Sequence, residues 1–302
     1  MINPNRLSGN PILEIISLGQ VADELDKLVN GGFVGSKNGF YFLPGRDALY
    51  ELRIEREKIA AQKWKKFLRI AKWFQAVPYL RAVLASGSLA INNTGHESDF
   101  DVLSVAKSGR LYTCRIFLCL AASLFRARRT RYERSAPDEF CFNHYITDGN
   151  LNIKHESLYN AQTYANLKPI LVDNGIFSRF YVENIWLNKY LYNFKPAEEF
   201  VLRKVSSNFF LLSIAGAGEF ILNSSLGDKI ENWAKRYQQK RIKNNPSTYE
   251  PGGRIVFNDN ELEFHPRSFE AFAIDKYNKE LKRLGIIPHA EEKDSGLTAT
   301  PL

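Results

Sequence analysis

One stretch of the chain decides the predicted fold: Leu80 to Val105, which reads LRAVLASGSLAINNTGHESDFDVLSV. Its first residues are apolar and predict a short β-strand that runs into Gly87 and Ser88. A polar segment follows, and a second strand then begins with Asp99 and Asp101, two aspartates separated by one residue. The pattern predicts two strands joined by a glycine–serine turn and a polar connection.

The two aspartates have a spacing that suits metal binding. Side chains alternate along a strand, so Asp99 and Asp101 point to the same face while Phe100 and Val102 point to the core. Their separation of roughly 7 Å along the strand lets both carboxylates bind one or two divalent ions. Such ions can activate an attacking oxygen and neutralise a leaving pyrophosphate.

The turn before the aspartates has the chemistry of a phosphate site. Gly87 has no side chain, so a phosphate can approach its backbone closely. Ser88 offers a hydroxyl group, and a helix that starts here would present free backbone N–H groups to a triphosphate. A glycine–serine pair alone is a weak signal, and so is an Asp-x-Asp alone. The order of strand, Gly-Ser, ten intervening residues and Asp-x-Asp is much more specific.

This combination resembles the signature of the DNA polymerase β-like nucleotidyltransferase superfamily, closely over residues 80–106 and in outline over 80–160. The chain is also similar to bacterial nucleotidyltransferase-domain proteins with a helical or winged-helix N-terminal segment. The resemblance implies an enzyme that moves a nucleoside monophosphate from an NTP such as ATP to an acceptor hydroxyl. It also implies that Gly87 and Ser88 hold phosphates, and that Asp99 and Asp101 are catalytic ligands of Mg²⁺ or Mn²⁺.

Members of this superfamily usually carry a third carboxylate on a later strand. Here that strand is predicted at 140–146, with a turn at 147–150 and a returning strand at 151–154. Its central polar residues are Asn143 and His144, so Asn143 is the candidate for the third-ligand position. Asp138 and Glu139, just before the strand, are the alternative, unless they only cap a loop. An amide in this place predicts slow turnover or nucleotide binding without turnover.

Basic residues dominate the segment between these strands. The whole chain has 41 Lys and Arg against 33 Asp and Glu. Residues 107–134 hold eight basic residues and only one acidic residue. Within them, Arg128, Arg129 and Arg131 are expected to form a rim for an anionic ligand, with a solvated basic surface as the equal alternative. Expected partners are therefore an NTP and an acceptor that is a small molecule, a protein or an RNA, and nucleic acid in general remains open.

The rest of the chain predicts an α+β protein with a mixed-sheet nucleotidyltransferase core, an N-terminal winged-helix-like unit and a helical C-terminal region. The winged-helix-like unit is poorly charged for DNA, since its second helix carries Asp23, Glu24 and Asp26. The predicted division is a winged-helix-like unit at 1–48, a connecting helix at 49–78, the core at 79–156, a mainly helical region at 157–288 and a disordered tail at 289–302.

Composition excludes several other classes of protein. Three cysteines without a CxxC pair argue against a disulfide framework and against structural zinc. The N-terminus lacks a signal-peptide pattern, and the apolar runs are too short to span a membrane. We therefore expect a cytoplasmic protein without a membrane partner. The alternative to the enzyme is a catalytically weak or inactive protein of the same fold that binds nucleic acid or a protein partner.

Overall fold

The computed structural model describes residues 16–130, 135–172, 175–191, 194–196, 203–266 and 268–287. The helices are α1 Leu18–Asn30, α2 Ala48–Ala71, α3 Gly87–Ala90, α4 Leu111–Leu124, α5 Leu158–Ala165, α6 Ile176–Glu183, α7 Leu187–Tyr190, α8 Phe209–Leu222, α9 Ser225–Lys243 and α10 Phe269–Arg283. The strands are β1 Gly35–Lys37, β2 Phe40–Phe42, β3 Leu80–Ala85, β4 Phe100–Ala106, β5 Phe140–Thr147, β6 Lys168–Val172, β7 Arg254–Phe257 and β8 Glu261–His265. Short 3₁₀ turns lie at Lys72–Ala76 and Pro246–Tyr249.

A mixed sheet of six strands forms the centre of the molecule, in the order β6-β3-β4-β5-β8-β7. The β4–β5 pair is parallel, and the other pairs are antiparallel. The expectation of an α+β protein with a mixed sheet is confirmed. Both strands of the deciding stretch are present, and they lie side by side with Ala85 opposite Val102.

The returning strand predicted at 151–154 is wrong. Side chains of α6 and the residue after it bind this segment's backbone instead: Leu151 N donates to Glu183 Oε2 at 3.0 Å, and Ile153 N donates to Asn184 Oδ1 at 2.8 Å. The edge of β5 that faces away from β4 pairs with β8, where Tyr145 lies opposite Leu262. The sheet therefore extends past residue 156, the predicted end of the core, and takes three further strands from the C-terminal region.

The two faces of the sheet pack against separate apolar cores. One core joins α2 and α4 to side chains such as Phe100 and Phe140. The other joins α5, α6 and α7 to side chains such as Leu103 and Ile146. Because side chains alternate along β4, Asp101 lies on the same face as Leu103. The aspartates therefore lie at one end of the second face, where the sheet leaves its helical cover.

The N-terminal part contains α1 and a hairpin of β1 and β2. Asn38 and Gly39 form the turn of this hairpin with φ values of 50° and 80°, a conformation that an Asn-Gly pair adopts readily. Residues 1–15 of the predicted winged-helix-like unit lie outside the described residues, as do Arg131 and the tail at 289–302. The described part of this unit is one helix and one hairpin.

Two C-terminal helices, α8 and α9, meet at an angle of 95°. In the described part of the chain no single helix is both long and apolar enough to cross a membrane, although this bent pair passes the same test of length and composition. α8 is strongly apolar yet buries only Leu211, Ala215 and Leu222 among its apolar side chains. α9 carries Lys240, Arg241 and Lys243 in its last turn.

Candidate active site

The glycine–serine turn packs directly on the second aspartate. β3 ends at Ala85, and a single helical turn, α3, begins at Gly87. Gly87 has φ of +65°, and a Cβ atom added there would collide with the Asp101 carboxylate. Glycine is therefore required at this position both by backbone conformation and by the closeness of the aspartate. The two parts of the sequence motif meet at the ends of neighbouring strands.

Three ligand-type side chains converge beside this turn. The carboxylates of Asp99 and Asp101 and the thiol of Cys141 have ligand atoms within 4.8 Å of one another. Arg129 forms an ion pair with Asp99, and its guanidinium lies 3.7 Å from Cys141 Sγ. Asn143 Nδ2 lies 3.4 Å from Asp101 Oδ1, a long hydrogen bond. The cluster holds two acidic groups beside one guanidinium.

The electrostatics of Asp101 are unusual for a carboxylate. Burial of its carboxyl group, followed by the nearby charge of Asp99, raises the pKa of Asp101 to about 7. The Arg129 charge and the Asn143 hydrogen bond act in the opposite direction but do not compensate. Near neutral pH a divalent cation can therefore replace the proton on Asp101, because the ion would relieve the repulsion between the two carboxylates.

α2 positions the loop that leads into Asp99. The buried Lys63 donates from Nζ to His96 O and Ser98 O, both at 2.8 Å, and forms an ion pair with Asp138 at 2.6 Å. At the other end of the loop, Arg53 Nη1 donates to Asn92 O at 2.7 Å. The predicted connecting helix is therefore part of the support of the site, and sequence analysis missed this role of Lys63.

The residue opposite Asp101 on the neighbouring strand is a cysteine. In the parallel β4–β5 pair Cys141 lies opposite Asp101, whereas Asn143 falls at a bulge between this pair and Leu103 opposite His144. Strand alternation was the signal that could have found Cys141, because Phe140 and Phe142 both face the core. Asn143 also lies next to Asp101, but it contacts the carboxylate through its amide N–H group and not through its amide oxygen, the atom that could bind a cation.

Other predicted residues lie apart from this cluster. Asp138 is held between Lys63 and Lys66, and although burial would raise its pKa, these two ammonium groups keep it below its usual range. Neither it nor Glu139 belongs to the ligand group that the described residues form at this site. Ser88 follows Gly87 at the turn and is half-buried. Arg128 is exposed and lines a cavity beside α9, away from Asp99.

The donor set fits one hard cation. Two adjacent carboxylates are ligands that Mg²⁺ and Mn²⁺ use together with water and phosphate oxygens. Burial and the two aspartate charges raise the pKa of the Cys141 thiol, so it stays protonated and binds a hard cation poorly. Asp99 and Asp101 would hold the ion, and a second ion would find no third carboxylate among the described residues of the cluster.

A second acidic cluster lies on the same face of the sheet. His144 Nε2 contacts Glu261 Oε1 at 3.1 Å and its Nδ1 contacts the Tyr164 hydroxyl at 2.8 Å. Arg254 forms an ion pair with Glu263. The side chains of His144, Glu261 and Glu263 are each exposed by no more than 5%. We call this group the His144–Glu261–Glu263 cluster; its charges are paired within the protein.

The chain was compared with protein-family models, curated proteins and solved structures, and none of the three comparisons found a match. The arguments for function therefore rest on the site itself.

Proposed function

We propose that the protein is a nucleotidyltransferase that moves a nucleoside monophosphate from an NTP to an acceptor hydroxyl. The observation that carries this proposal is the packing of Gly87 against Asp101. It brings the glycine–serine turn, whose serine hydroxyl can donate to a phosphate, directly beside a pair of carboxylates suited to a divalent ion. The resemblance of residues 80–106 to the polymerase β-like superfamily agrees with this arrangement.

Each residue of the site has a role that follows from its position. Asp99 and Asp101 would bind the ion, which when present supplies positive charge to the triphosphate and to the attacking oxygen. Gly87 lets the turn pack closely on Asp101, and Ser88 would offer its hydroxyl group as a donor to phosphate. Arg129 adds a fixed positive charge next to Asp99, where charge on the phosphates would develop. Lys63 holds the loop before Asp99 and acts as a positioning residue.

A second candidate function is nucleotide binding with little or no turnover. The observation in its favour is Cys141 opposite Asp101, where the related superfamily usually has a carboxylate. A protonated thiol neither holds a second hard cation nor serves as a general base at neutral pH. This candidate predicts binding of NTP and one metal ion without transfer.

Transfer of label from NTPs tests both candidates. The protein is incubated with each of the four NTPs, labelled at the α-phosphate in one series and at the γ-phosphate in another, with Mn²⁺ and a cell extract. Nucleotidyl transfer places only the α-label on an acceptor and releases the γ-label as pyrophosphate. Asp101→Ala should remove the transfer, whereas Asp275→Asn, an exposed carboxylate on α10, should not. Binding without label on any acceptor favours the second candidate, and the absence of both overturns the proposal.

A further inference from the structure

Two cavities lie along α9, outside the aspartate site, and the smaller one also borders α4. The larger has a volume of about 390 Å³ and is lined by Tyr237, Lys240, Arg241 and residues 244–246. The smaller, of about 150 Å³, is lined by Arg128, residues of α4, and again Tyr237 and Arg241. The cavities are neighbours that share these two side chains, and we call them together the α4–α9 groove. The larger cavity has the volume of a small-ligand pocket.

The groove is positively charged. Its lining includes Arg128, Lys240 and Arg241, all exposed, and none of the described lining residues is acidic. A fourth cation, Arg115, is already engaged in contacts within the protein, because it donates to Gln238 Oε1 at 2.6 Å and lies over the Phe264 ring. Three exposed cationic groups, with no acidic residue in the described lining, favour an anionic ligand.

Exposed aromatic rings line up with these charges on α9. Trp233, Tyr237 and Arg241 are spaced by four residues and so form one row on the helix. The Trp233 and Tyr237 rings are stacked, with centroids 5.6 Å apart and an interplanar angle of 6°. They are nevertheless 60% and 48% exposed. The Arg241 guanidinium lies 5.7 Å from the Tyr237 centroid. The row presents flat aromatic surface beside positive charge.

Contacts with α4 hold α9, and with it this row of side chains, in place. Ala234 is fully buried, and Gln238 Nε2 donates to Tyr112 O at 3.0 Å. Glu231 accepts from the backbone N–H groups of Tyr112 and Thr113 at 2.9 and 2.8 Å. The inner face of the helix is therefore fixed, so the exposed row is preorganised and loses little freedom when it binds a ligand.

We propose that the α4–α9 groove binds single-stranded nucleic acid. Unpaired bases stack on exposed aromatic rings, and the backbone phosphates pair with Lys and Arg alongside. A duplex hides its base faces, so it would use the charges but not the rings. Arg128 also adjoins Arg129, which contacts Asp99. If the protein is a nucleotidyltransferase, a strand bound here would supply the acceptor hydroxyl, and this part of the proposal rests on the proposed function. The binding of the strand does not depend on that function.

Oligonucleotide binding tests the groove directly. The full-length protein is titrated into fluorescein-labelled RNA and DNA single strands of about 16 nucleotides, and into a duplex of the same length. Fluorescence anisotropy is recorded across a series of salt concentrations. Either single strand should bind more tightly than the duplex, and the preference between RNA and DNA identifies the source of the strand. Tighter binding of the duplex would overturn the proposal.

Two pairs of variants separate stacking from charge. Trp233→Leu with Tyr237→Leu should weaken single-strand binding about tenfold or more. The matched control is Phe269→Leu with Phe272→Leu, another exposed aromatic pair, on α10. Arg128→Gln with Arg241→Gln should lower the salt slope by about 1.4, since each lost phosphate contact of a single strand contributes about 0.7. Its control is Lys58→Gln with Lys65→Gln, two exposed cations of α2.

Equal losses in the variants and their controls would overturn the groove as the binding site. Phosphatidylcholine–phosphatidylserine vesicles form another arm: if Trp233 and Tyr237 are needed for vesicle binding but not for oligonucleotide binding, the surface is a lipid surface and the proposal is wrong. Asp101→Ala should keep full oligonucleotide affinity. If label transfer persists while oligonucleotide binding fails, only this inference falls, and the proposed function stands.

Discussion

Two acidic clusters on one face of the same sheet differ in how their charge is compensated. The side chains of Glu261 and Glu263 are almost fully buried, and each has a cationic or hydrogen-bonding partner. Burial alone would raise the pKa of Glu261, but the hydrogen bond and charge of His144, with Arg254, lower it below its usual value. The pKa of Asp101 moves in the opposite direction, to about 7.

The two clusters differ in whether the protein neutralises their negative charge. The His144–Glu261–Glu263 cluster supplies its own counter-charges and so fastens β8 to β5 and β7. The aspartate cluster brings two carboxylates together with one guanidinium at the end of the sheet. Acidic groups held close against electrostatic cost are characteristic of sites that bind an external cation.

Removal of an aspartate should abolish function without harming the fold. Asp101→Ala should lower the rate of α-label transfer by at least about 100-fold, because it removes a hard ligand of the divalent ion. Thermal unfolding should show that the variant is as stable as the unmodified protein or more so. Transfer at the full rate would rule out Asp101 as a ligand.

Removal of a glutamate should have the reverse outcome. Glu263→Ala removes the buried main partner of Arg254, leaves its largely covered guanidinium unpaired on that side, and should reduce the free energy of unfolding by about 3 kcal/mol. Glu280→Ala, which removes an exposed partner of Arg283, should change it by less than about 0.5 kcal/mol. Urea denaturation measures both values. A loss at Glu263 no larger than that at Glu280 would contradict the structural role of the cluster.

The raised pKa of Asp101 makes stability depend on pH in a defined direction. Since its folded pKa, about 7, exceeds the ordinary value of 3.8, ionisation costs stability as pH rises from 4 to 7 and no further cost follows above 7. Asp101→Asn removes this cost. It should stabilise the protein by about 2 kcal/mol more at pH 8 than at pH 5. An equal effect at both pH values would mean that Asp101 titrates normally.

The third-ligand position gives the smallest expected effect. Cys141→Asp should strengthen Mn²⁺ binding about tenfold at pH 8, because it places a carboxylate opposite Asp101. Asn143→Asp, at the neighbouring bulge, should strengthen it less. Calorimetric titration of both variants, with a non-hydrolysable NTP bound, compares them. A larger gain at position 143 would restore the assignment made from sequence alone.

Much of the site could be read from local pattern. Alternation along β4 placed Asp99 and Asp101 on one face, and the glycine–serine turn was found from the residues that precede it. Alternation along β5 also indicated Cys141, since Phe140 and Phe142 face the core, but the expectation was placed on the polar residue Asn143. The bulge that leaves Cys141 opposite Asp101 could not be read from the sequence. The role of Lys63 could not be read either, because the sequence does not show that a loop 33 to 35 residues away would cover it.

The sequence by itself determined the two strands of the stretch at 80–105, the long helix α2 and the Gly-Ser and Asp-x-Asp motif, since each depends on neighbours within a few residues. Only the tertiary structure decided which strand joins β5, how Arg129 and Cys141 meet Asp99, and how Arg128 comes to share a groove with Tyr237. β7 and β8 lie in the region predicted as mainly helical, and their place in the sheet is decided by the pairing of β8 with β5. His144 and Glu261 lie 117 residues apart, and a pairing over that distance is fixed by the packing of the whole sheet rather than by any local preference.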